Sequence, residues 1–292
     1  MTGPRAGHLA MLLFSLLVAG SFALGSLAAN EITSSALNAV RFWIATLIIG
    51  AAAFATGGVT RAAFDAPWRY IVLAVFFTTY FVLMFEGLKT APPVSAAAVF
   101  TLTPILTAGF AWLLLRQVLT PRMAFALLIG ALGAVWVIFR ADVAAILRFE
   151  VGPGEMVYFW GCAAHAVYTP LVRKLNRGET AVVFSFGVLL AGSGLLTVWG
   201  WGDLVATDWM ALPGIVWITI LYTAIFASAA TFVLLQFATL RLPSSKVMAY
   251  TYLTPSWVIV WELALGGTPP PVLVLAGLLL TVTALVLLLR DE

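Results

Sequence analysis

Charged residues are scarce in this sequence: Asp, Glu, Lys and Arg make up only 9% of its 292 residues, whereas 63% are apolar. The mean hydropathy is +1.07. A soluble domain averages about 25% charged and about 45–50% apolar residues. This composition excludes a water-soluble fold, because a chain of this length could not bury so much apolar side chain. We therefore expect an integral membrane protein whose main partner is the lipid bilayer.

Residues that carry chemistry are also rare. The single cysteine, Cys162, lies within an apolar run, so no disulfide can form within the chain. Of the two histidines, His8 falls at the expected membrane edge, which argues against a histidine-based metal site. The metalloprotease HExxH, the hydrolase GxSxG and the nucleotide-binding P-loop are all absent. We therefore expect neither a cofactor nor enzymatic activity, and no charged ring or carbonyl filter indicates a channel.

Long apolar runs are what the sequence does have. Each is about twenty residues long and apolar on all sides, which matches about 30 Å of hydrocarbon crossed by a helix. Barrel strands would instead alternate apolar and polar residues over about ten positions. The sequence predicts an all-α polytopic membrane protein with ten transmembrane helices, at approximately residues 8–28, 33–56, 67–89, 93–115, 121–140, 154–174, 180–199, 210–238, 244–265 and 270–289.

The basic residues predict the direction of these spans. With the N-terminus in the cytoplasm, eleven Lys and Arg residues fall at cytoplasmic ends and three fall outside, which is a strong positive-inside bias. Both termini are then cytoplasmic, and the basic residues need no nucleic acid to explain them. The first run could also be a cleaved signal peptide, but it is longer than the usual core of about 7–15 residues. The cytoplasmic residues are Arg5, Arg61, Arg69, Arg116, Arg122, Arg173, Lys174, Arg177, Arg241, Lys246 and Arg290, and the outer ones are Lys89, Arg140 and Arg148.

The tripeptide Leu-Thr-Pro occurs twice near the middle of an apolar run, ending at Pro104 and at Pro255. Another proline, Pro92 or Pro243, precedes each of them by twelve residues. A proline inside a helix removes a backbone hydrogen bond and costs about 3 kcal/mol. Prolines with the same spacing in two similar apolar runs indicate two copies of one structural unit, covering residues 8–140 and 154–290.

Five spans in each copy is an odd number, so the second copy enters the membrane from the opposite face. Inverted repeats of this kind are typical of secondary transporters, whose binding site lies near the bilayer midplane where the copies meet. Each central proline, Pro104 or Pro255, is expected to kink its helix beside that cavity and to act as a hinge or gate. A cavity open to one side can then become open to the other.

These features resemble the EamA-type branch of the drug/metabolite transporter superfamily, and within it the aromatic amino acid exporters. The resemblance rests on the ten spans in two halves, on "LNAVRFW" (37–43), and on the "APP…LTP" and "LPS…LTP" blocks. It implies export of small metabolites, especially amino acids, across the bacterial inner membrane. The second half has no clear counterpart of Arg41, because Gly187 and Gly192 occupy that region of span seven.

Charged groups inside a membrane are costly and are functional candidates by default. Arg41 lies about a third of the way into span two, while Glu86 and Glu262 lie near the outer ends of spans three and nine. We expect Arg41 to form an ion pair with one of the two carboxylates, which would offset desolvation. A role in binding substrate or in proton coupling is the alternative.

Aromatic and hydroxyl side chains at midplane depth predict a cavity for amphipathic molecules, since ring faces pack against apolar groups and hydroxyls meet amino or carboxylate groups. His165 lies near the midplane, beside a helical stripe that holds Trp160 and Tyr168. Packing alone is the alternative role for each of these residues. The predicted cavity residues are Tyr80, Thr101, Trp160, His165, Tyr168, Tyr250 and Tyr252.

Other functions remain open at this point. A transporter of the same fold for hydrophobic cations, drugs or other metabolites is the main alternative, although such a pump would need a carboxylate deep in its cavity. An intramembrane enzyme is a remote one. Proton-coupled, exchange and uncoupled transport are all compatible with the sequence. We expect a monomer or a weak homodimer.

Overall fold

The computed structural model describes residues 4–56 and 58–289 of the protein, so that Arg290 lies outside the described residues. All regular elements in these two ranges are helical, which confirms the all-α prediction. The α-helices are α1 (Pro4–Ala28), α2 (Ser34–Ala55), α3 (Trp68–Leu88), α4 (Pro93–Phe100), α5 (Thr103–Leu115), α6 (Pro121–Ile138), α7 (Val143–Arg148), α8 (Pro153–Leu175), α9 (Ala181–Trp199), α10 (Trp201–Ala206), α11 (Gly214–Ala224), α12 (Thr231–Thr239), α13 (Ser244–Ala249), α14 (Thr254–Ala264) and α15 (Val272–Leu289).

Eight helical segments are long and apolar enough to cross a membrane by length and composition. Two further segments fall short of that criterion for different reasons. Helix α8 carries His165, Tyr168 and Pro170 within its span as well as charged residues in its end turns, which together lower its hydropathy. The segment from Ser244 to Ala264 is interrupted by a 3-10 turn at Tyr250–Leu253. The apolar helices agree with a polytopic membrane protein.

Local sequence explains where several helices begin. The side chains of Thr120 and Thr180 accept hydrogen bonds from backbone N–H groups three residues later, at the start of α6 and α9. Asp142 caps the short helix α7 in the same way. Helices α4, α6 and α8 each open on a proline, whose missing N–H has no helical partner to lose in the first turn.

The two ends of the bundle are held together by different contacts. At one end, which we call the Glu86 end, Asn30 donates to the backbone oxygen of Lys89, and Ser35 donates to Asp203. At the opposite end, which we call the Arg69 end, the backbone N–H of Ser244 donates to Gln117. Consecutive long helices therefore run antiparallel between these two ends.

The strongest helix packing joins the first half of the chain (α1–α6) to the second half (α8–α15). Helix α6 packs on α15, α2 on α9, α3 on α8, and α1 on α11 and α12. The broken pair α4–α5 packs on α8, and the broken pair α13–α14 packs on α1. Exchanging each helix for its counterpart in the other half returns the same pairings. The packing therefore has approximate twofold symmetry.

Helices α6 and α15 meet at glycines. A Cβ atom on Gly133 would lie 2.7 Å from the backbone oxygen of Gly277, and a Cβ on Gly277 would lie 2.8 Å from that of Gly133. In a membrane, helices associate through such small-residue contacts because lipid supplies no hydrophobic driving force between them. The "GALGA" run (130–134) thus serves helix packing, and Gly130 makes room for the ring of Tyr252.

A buried ion pair ties the Arg69 end together. Arg69 Nη2 lies 2.7 Å from Glu179 Oε1, and Arg69 Nη1 donates to the backbone oxygen of Leu175 at 2.7 Å. Glu179 also accepts from the backbone N–H of Arg177 at 2.6 Å. Burial raises the pKa of Glu179, but the hydrogen bonds from Arg69 and Arg177 outweigh it, so the pKa lies below its ordinary 4.5.

Replacing Glu179 with Gln is expected to lower the stability of the protein by about 2 kcal/mol, because Arg69 keeps its charge without its anion. A lowered carboxyl pKa contributes stability that is present above about pH 4.5 and is lost as the pH falls through the folded-state pKa. Thermal unfolding in detergent from pH 7 to pH 3 measures both effects. The variant should lose the part of the pH dependence that Glu179 supplies.

The matched control is Arg148→Ala. Arg148 lies 3.6 Å from Glu150, with both side chains largely exposed. Exposed ion pairs contribute little because water and salt screen them, so this variant should melt with the wild-type protein. Equal losses in the two variants would contradict a structural role for the Arg69–Glu179 pair.

Candidate functional site

A small closed cavity lies between the two halves. Its volume is about 10 Å³, close to the smallest volume that holds one water molecule. Its walls come from α1, α3 and α8 and from the turn between α11 and α12. The lining residues are Phe14, Val18, Ser21, Phe77, Tyr80, Phe81, Met84, His165, Ala227 and Thr231. The cavity is too small in this structure for any molecule larger than water.

His165 forms the polar centre of this cavity. Its ring lies 4.5 Å from that of Tyr80, 5.4 Å from that of Phe77 and 5.6 Å from that of Phe100, measured between centroids. Its Nδ1 atom is buried and has no hydrogen-bond partner among the described residues. The hydroxyl of Ser21, on the opposite wall, is also buried without a partner there. The cavity therefore offers two unused polar atoms in an aromatic shell.

Tyrosines from both halves surround His165. The hydroxyl of Tyr158 lies 3.2 Å from that of Tyr80, across the contact between α8 and α3. One helical turn beyond His165, Tyr168 stacks on Phe77 with centroids 4.3 Å apart, and its hydroxyl accepts a hydrogen bond of 2.9 Å from Gln236. These rings can pack against an apolar side chain, while their hydroxyls can bind its polar groups.

Arg41 is fully buried beside the cavity wall. Its Nε and Nη2 atoms donate to Ser228 Oγ at 3.1 and 2.8 Å, and Nη2 also donates to the backbone oxygen of Ala227 at 3.4 Å. Nη1 donates to Asn38 at 3.3 Å. The guanidinium lies 3.9 Å from the centroid of the Phe81 ring, a distance at which a cation is attracted to the ring face.

Two of the acceptors of Arg41, Ser228 and Ala227, lie on an irregular segment. Residues Ile225–Ala230 form a π-helical stretch between α11 and α12. π-helical turns are rare and are found frequently at functional sites. Arg41 belongs to the first half and this segment to the second, so the contact bridges the interface at the cavity.

Comparison with known protein families identifies the family of this chain. Residues 5–139 and 152–290 match the sequence model of the EamA-like transporter family. The chain belongs to the EamA-like transporter family. It is therefore a multi-pass membrane protein of a family that transports small molecules, and the resemblance to the EamA-type transporters is confirmed.

Individual relatives add the following. The protein is 24% identical over 277 residues to "Uncharacterized transporter YyaM" of Bacillus subtilis (strain 168), which covers 94% of this chain and 90% of that protein. One crystal structure matches with a TM-score of 0.73 and 23% identity, covering 97% of this chain and 94% of that one. At that identity the likeness concerns the fold alone.

The ion pair expected between Arg41 and Glu86 or Glu262 does not form in this EamA-like transporter. Glu86 accepts from Ser34 at 2.6 Å and from Lys89 at 2.8 Å. Ser34 precedes Arg41 by seven residues on α2, or about 10 Å along the helix axis, which puts Glu86 out of reach. Glu262 is partly exposed near the end of α14. The prediction was wrong because it considered only how far each residue lies along its span, and not which helices pack against each other.

Trp160 does not belong to the cavity either. Its side chain is 63% exposed, whereas Tyr168 on the same helix is fully buried. Eight residues at 3.6 per turn separate the two by about 80° around the helix, enough to turn Trp160 outward. The buried face of α8 includes Tyr158, Cys162 and His165 instead. This prediction was also wrong.

The remaining predicted residues lie at the two helix breaks. Helix α4 ends at Phe100 and α5 begins at Thr103, with Thr101 buried between them and Pro104 in the first turn of α5. In the second half the 3-10 turn Tyr250–Leu253 precedes Pro255 in the same way. Each break therefore directly precedes its proline.

The two breaks make different contacts. Phe100 touches His165, so the first break adjoins the central cavity. Tyr250 instead contacts His8, with 3.0 Å between its hydroxyl and His8 Nδ1. Tyr252 fills the space beside Gly130. Neither tyrosine lines the cavity around His165.

Several residues of the site escaped the sequence interpretation. Tyr158, Ser228 and Gln236 make buried polar contacts with Tyr80, Arg41 and Tyr168, respectively. A small-residue run such as the one around Ser228 carries no distinctive motif. One feature of the sequence did point to this region: the eighth apolar run, residues 210–238, is longer than a span needs and can therefore hold a π-helical turn.

Proposed function

We propose that this protein is a secondary transporter that exports amino acids, aromatic ones among a broad range, and related small metabolites across a bacterial inner membrane. Its ten spans would form two inverted halves, residues 8–140 and 154–290, with both termini in the cytoplasm. The halves would move relative to each other so that the cavity opens alternately to each side. The closed aromatic cavity around His165, built from both halves, carries this proposal.

The symmetry of the helix packing supports alternating access. Two halves that pair through equivalent contacts can exchange conformations, which turns a cavity open at one end into a cavity open at the other. The breaks before Pro104 and Pro255 lie in counterpart helices. Each broken helix packs on the first helix of the other half, so bending at either break would change the contact between the halves.

The chemistry of the cavity favours zwitterionic cargo over hydrophobic cations. Rings and hydroxyl groups surround His165, and no Asp or Glu belongs to the described cavity lining. A cation transporter needs a carboxylate at its binding site to offset desolvation of the charge. Glu86 instead pairs with Lys89 at the Glu86 end.

The experiment is a transport screen with the purified full chain in proteoliposomes, using each labelled amino acid and a labelled quaternary ammonium compound. We expect movement of several amino acids, including phenylalanine, above empty liposomes, and little movement of the cation. Tyr80→Phe and His165→Ala should raise the KM for phenylalanine by about tenfold, since each removes a polar group from the cavity. Trp160→Phe, on the outer surface, is the control.

Two results would overturn the proposal. One is a screen in which no amino acid moves above the empty liposomes. The other is an unchanged KM in both cavity variants, which would place the substrate elsewhere. Uptake with and without an imposed pH gradient then distinguishes proton-coupled from exchange or uncoupled transport.

A further inference from the structure

Arg41 is a buried cation without an anion. All its hydrogen-bond partners, Ser228, Ala227 and Asn38, are neutral, and no carboxylate of the described residues pairs with it. A charge inside a membrane protein pairs with an opposite charge or with backbone carbonyls, and Arg41 has only neutral acceptors, which leave its charge uncompensated. The guanidinium fork matches a carboxylate, which it can bind through two parallel hydrogen bonds.

The cation adjoins the cavity. Ala227 and Phe81, which contact the guanidinium on two sides, both belong to the cavity wall. On the same walls, the Ser21 hydroxyl and His165 Nδ1 are buried without partners in the described chain. An opening of about one amino acid in size would therefore expose Arg41 to whatever enters.

Two of the three acceptors of Arg41 belong to the other half, while Asn38 lies on the same helix as Arg41. Arg41 lies on α2, whereas Ser228 and Ala227 lie on the π-helical turn of the second half. When the halves separate, the guanidinium loses these acceptors in a low-dielectric site. An incoming carboxylate would then stabilise the open cavity and provide the missing negative charge.

We infer that Arg41 is the carboxylate-binding residue of this transporter, and that Ser228 and Ala227 occupy its donors in the closed form until substrate arrives. The inference rests on the proposed function and makes it more specific: the cargo must carry a carboxylate. An amino group is not required at this point of the site. His165 Nδ1 and the Ser21 hydroxyl, which have no partner among the described residues, are then available to bind the other end of the substrate.

The test uses four probes that share one ring: L-phenylalanine, 3-phenylpropanoate, L-phenylalaninamide and 2-phenylethylamine. Binding is measured with the purified full chain as a ligand-induced shift in melting temperature, and transport is measured in proteoliposomes. The two carboxylates should bind at least about tenfold more tightly than the amide and the amine. Arg41→Gln should bring the ratio of acid to amide close to one.

Two further variants test the inference in case Arg41→Gln does not fold. Arg41→Lys keeps the positive charge but loses the fork, so it should reduce the ratio of acid to amide to an intermediate value. Ser228→Ala removes an internal competitor for the guanidinium, so the shift produced by L-phenylalanine should increase. If the Arg41→Gln protein does not elute as a folded species in size-exclusion chromatography, the binding measured with Arg41→Lys and Ser228→Ala tests the inference.

The outcomes separate this inference from the proposed function. Transport of phenylalanine and its amide at equal rates overturns the inference and leaves amino acid transport standing. Binding of phenylpropanoate without movement of any amino acid overturns the proposed cargo and supports the inference. A ratio of acid to amide that stays at wild-type level in Arg41→Lys, or a smaller shift in Ser228→Ala, counts against it. Failure of all four probes to bind overturns both.

Discussion

Replacing Gly133 or Gly277 with leucine is expected to destabilise the protein by about 3 kcal/mol or more, enough to prevent recovery of a monodisperse species in detergent. At both positions a Cβ atom would meet the backbone oxygen of the other glycine at under 3 Å. A backbone atom cannot turn aside as a flexible side chain can. Helices α6 and α15 would have to move apart along much of their length, and close contact is what holds them together in lipid.

The matched controls are Gly194→Leu and Gly109→Leu. Both positions lie on apolar helices, and a Cβ atom there would have no neighbour within 4 Å. These variants carry the same change in side chain and in helix propensity without the overlap. Size-exclusion chromatography and thermal unfolding of all four proteins measure the difference. Recovery of Gly133→Leu with a wild-type melting temperature would mean that α6 and α15 do not pack as described.

A disulfide between α3 and α8 is expected to abolish transport, whereas one between α2 and α9 is expected to leave it intact. In an inverted repeat, the two end states are related by exchanging the halves. The exchange turns the contact of α3 with α8 into that of its counterparts, α1 with α11 and α12, so we expect these two contacts to loosen in turn during the cycle. The contact of α2 with α9 maps onto itself and is kept.

The structure offers suitable positions for both cross-links. A Cβ atom on Gly161 would lie 3.1 Å from that of Leu83, and the hydroxyls of Thr46 and Ser193 lie 2.8 Å apart. Disulfides require Cβ atoms about 3.5–4.5 Å apart, so the Leu83–Gly161 pair needs only a small adjustment, and the hydroxyl contact shows that Thr46 and Ser193 face each other across α2 and α9. The two double-cysteine variants are made with Cys162→Ala, which removes the one native thiol.

Transport is measured after oxidation and again after reduction. The Leu83→Cys/Gly161→Cys protein should fall at least about tenfold on oxidation and recover with reductant, since blocking the opening motion blocks turnover. The Thr46→Cys/Ser193→Cys protein should be unaffected at equal cross-linking yield. Loss of transport in both would mean that α2 and α9 also separate, and loss in neither would contradict movement of α3 against α8.

Composition and the positions of the prolines were sufficient to predict the all-α class of the fold. Apolar runs of about twenty residues can only be helices in lipid, and the two Leu-Thr-Pro tripeptides marked both helix breaks. What they could not supply was the rotation of each helix about its axis. A span buried on one side and exposed to lipid on the other is apolar on both, so Trp160 could not be told from Tyr158 by hydropathy.

The site was predicted less completely for the same reason. The prediction grouped His165, Tyr80 and Tyr168 because they are polar or aromatic residues near the middle of their spans. In the structure, the rings of Tyr80 and Tyr168 both contact that of His165. The partners of Arg41 could not be deduced, since Ser228 lies 187 positions away on a wide turn that no residue type announces. Helix length and charge predict depth, but pairing across two halves depends on packing that a single sequence does not encode locally.

Arg41 and the π-helical turn that it binds have no counterpart among the described residues, although the helix pairings around them are approximately symmetric. Helix α9 has no arginine to match, and α3 runs unbroken where its counterpart widens. Two identical halves would make the states facing either side equal in free energy and equally populated. A lone contact lifts that degeneracy, and about 1.4 kcal/mol already gives a tenfold preference. Under the proposed alternating access, this contact would give the protein a preferred resting orientation, and substrate binding would either oppose or reinforce that preference.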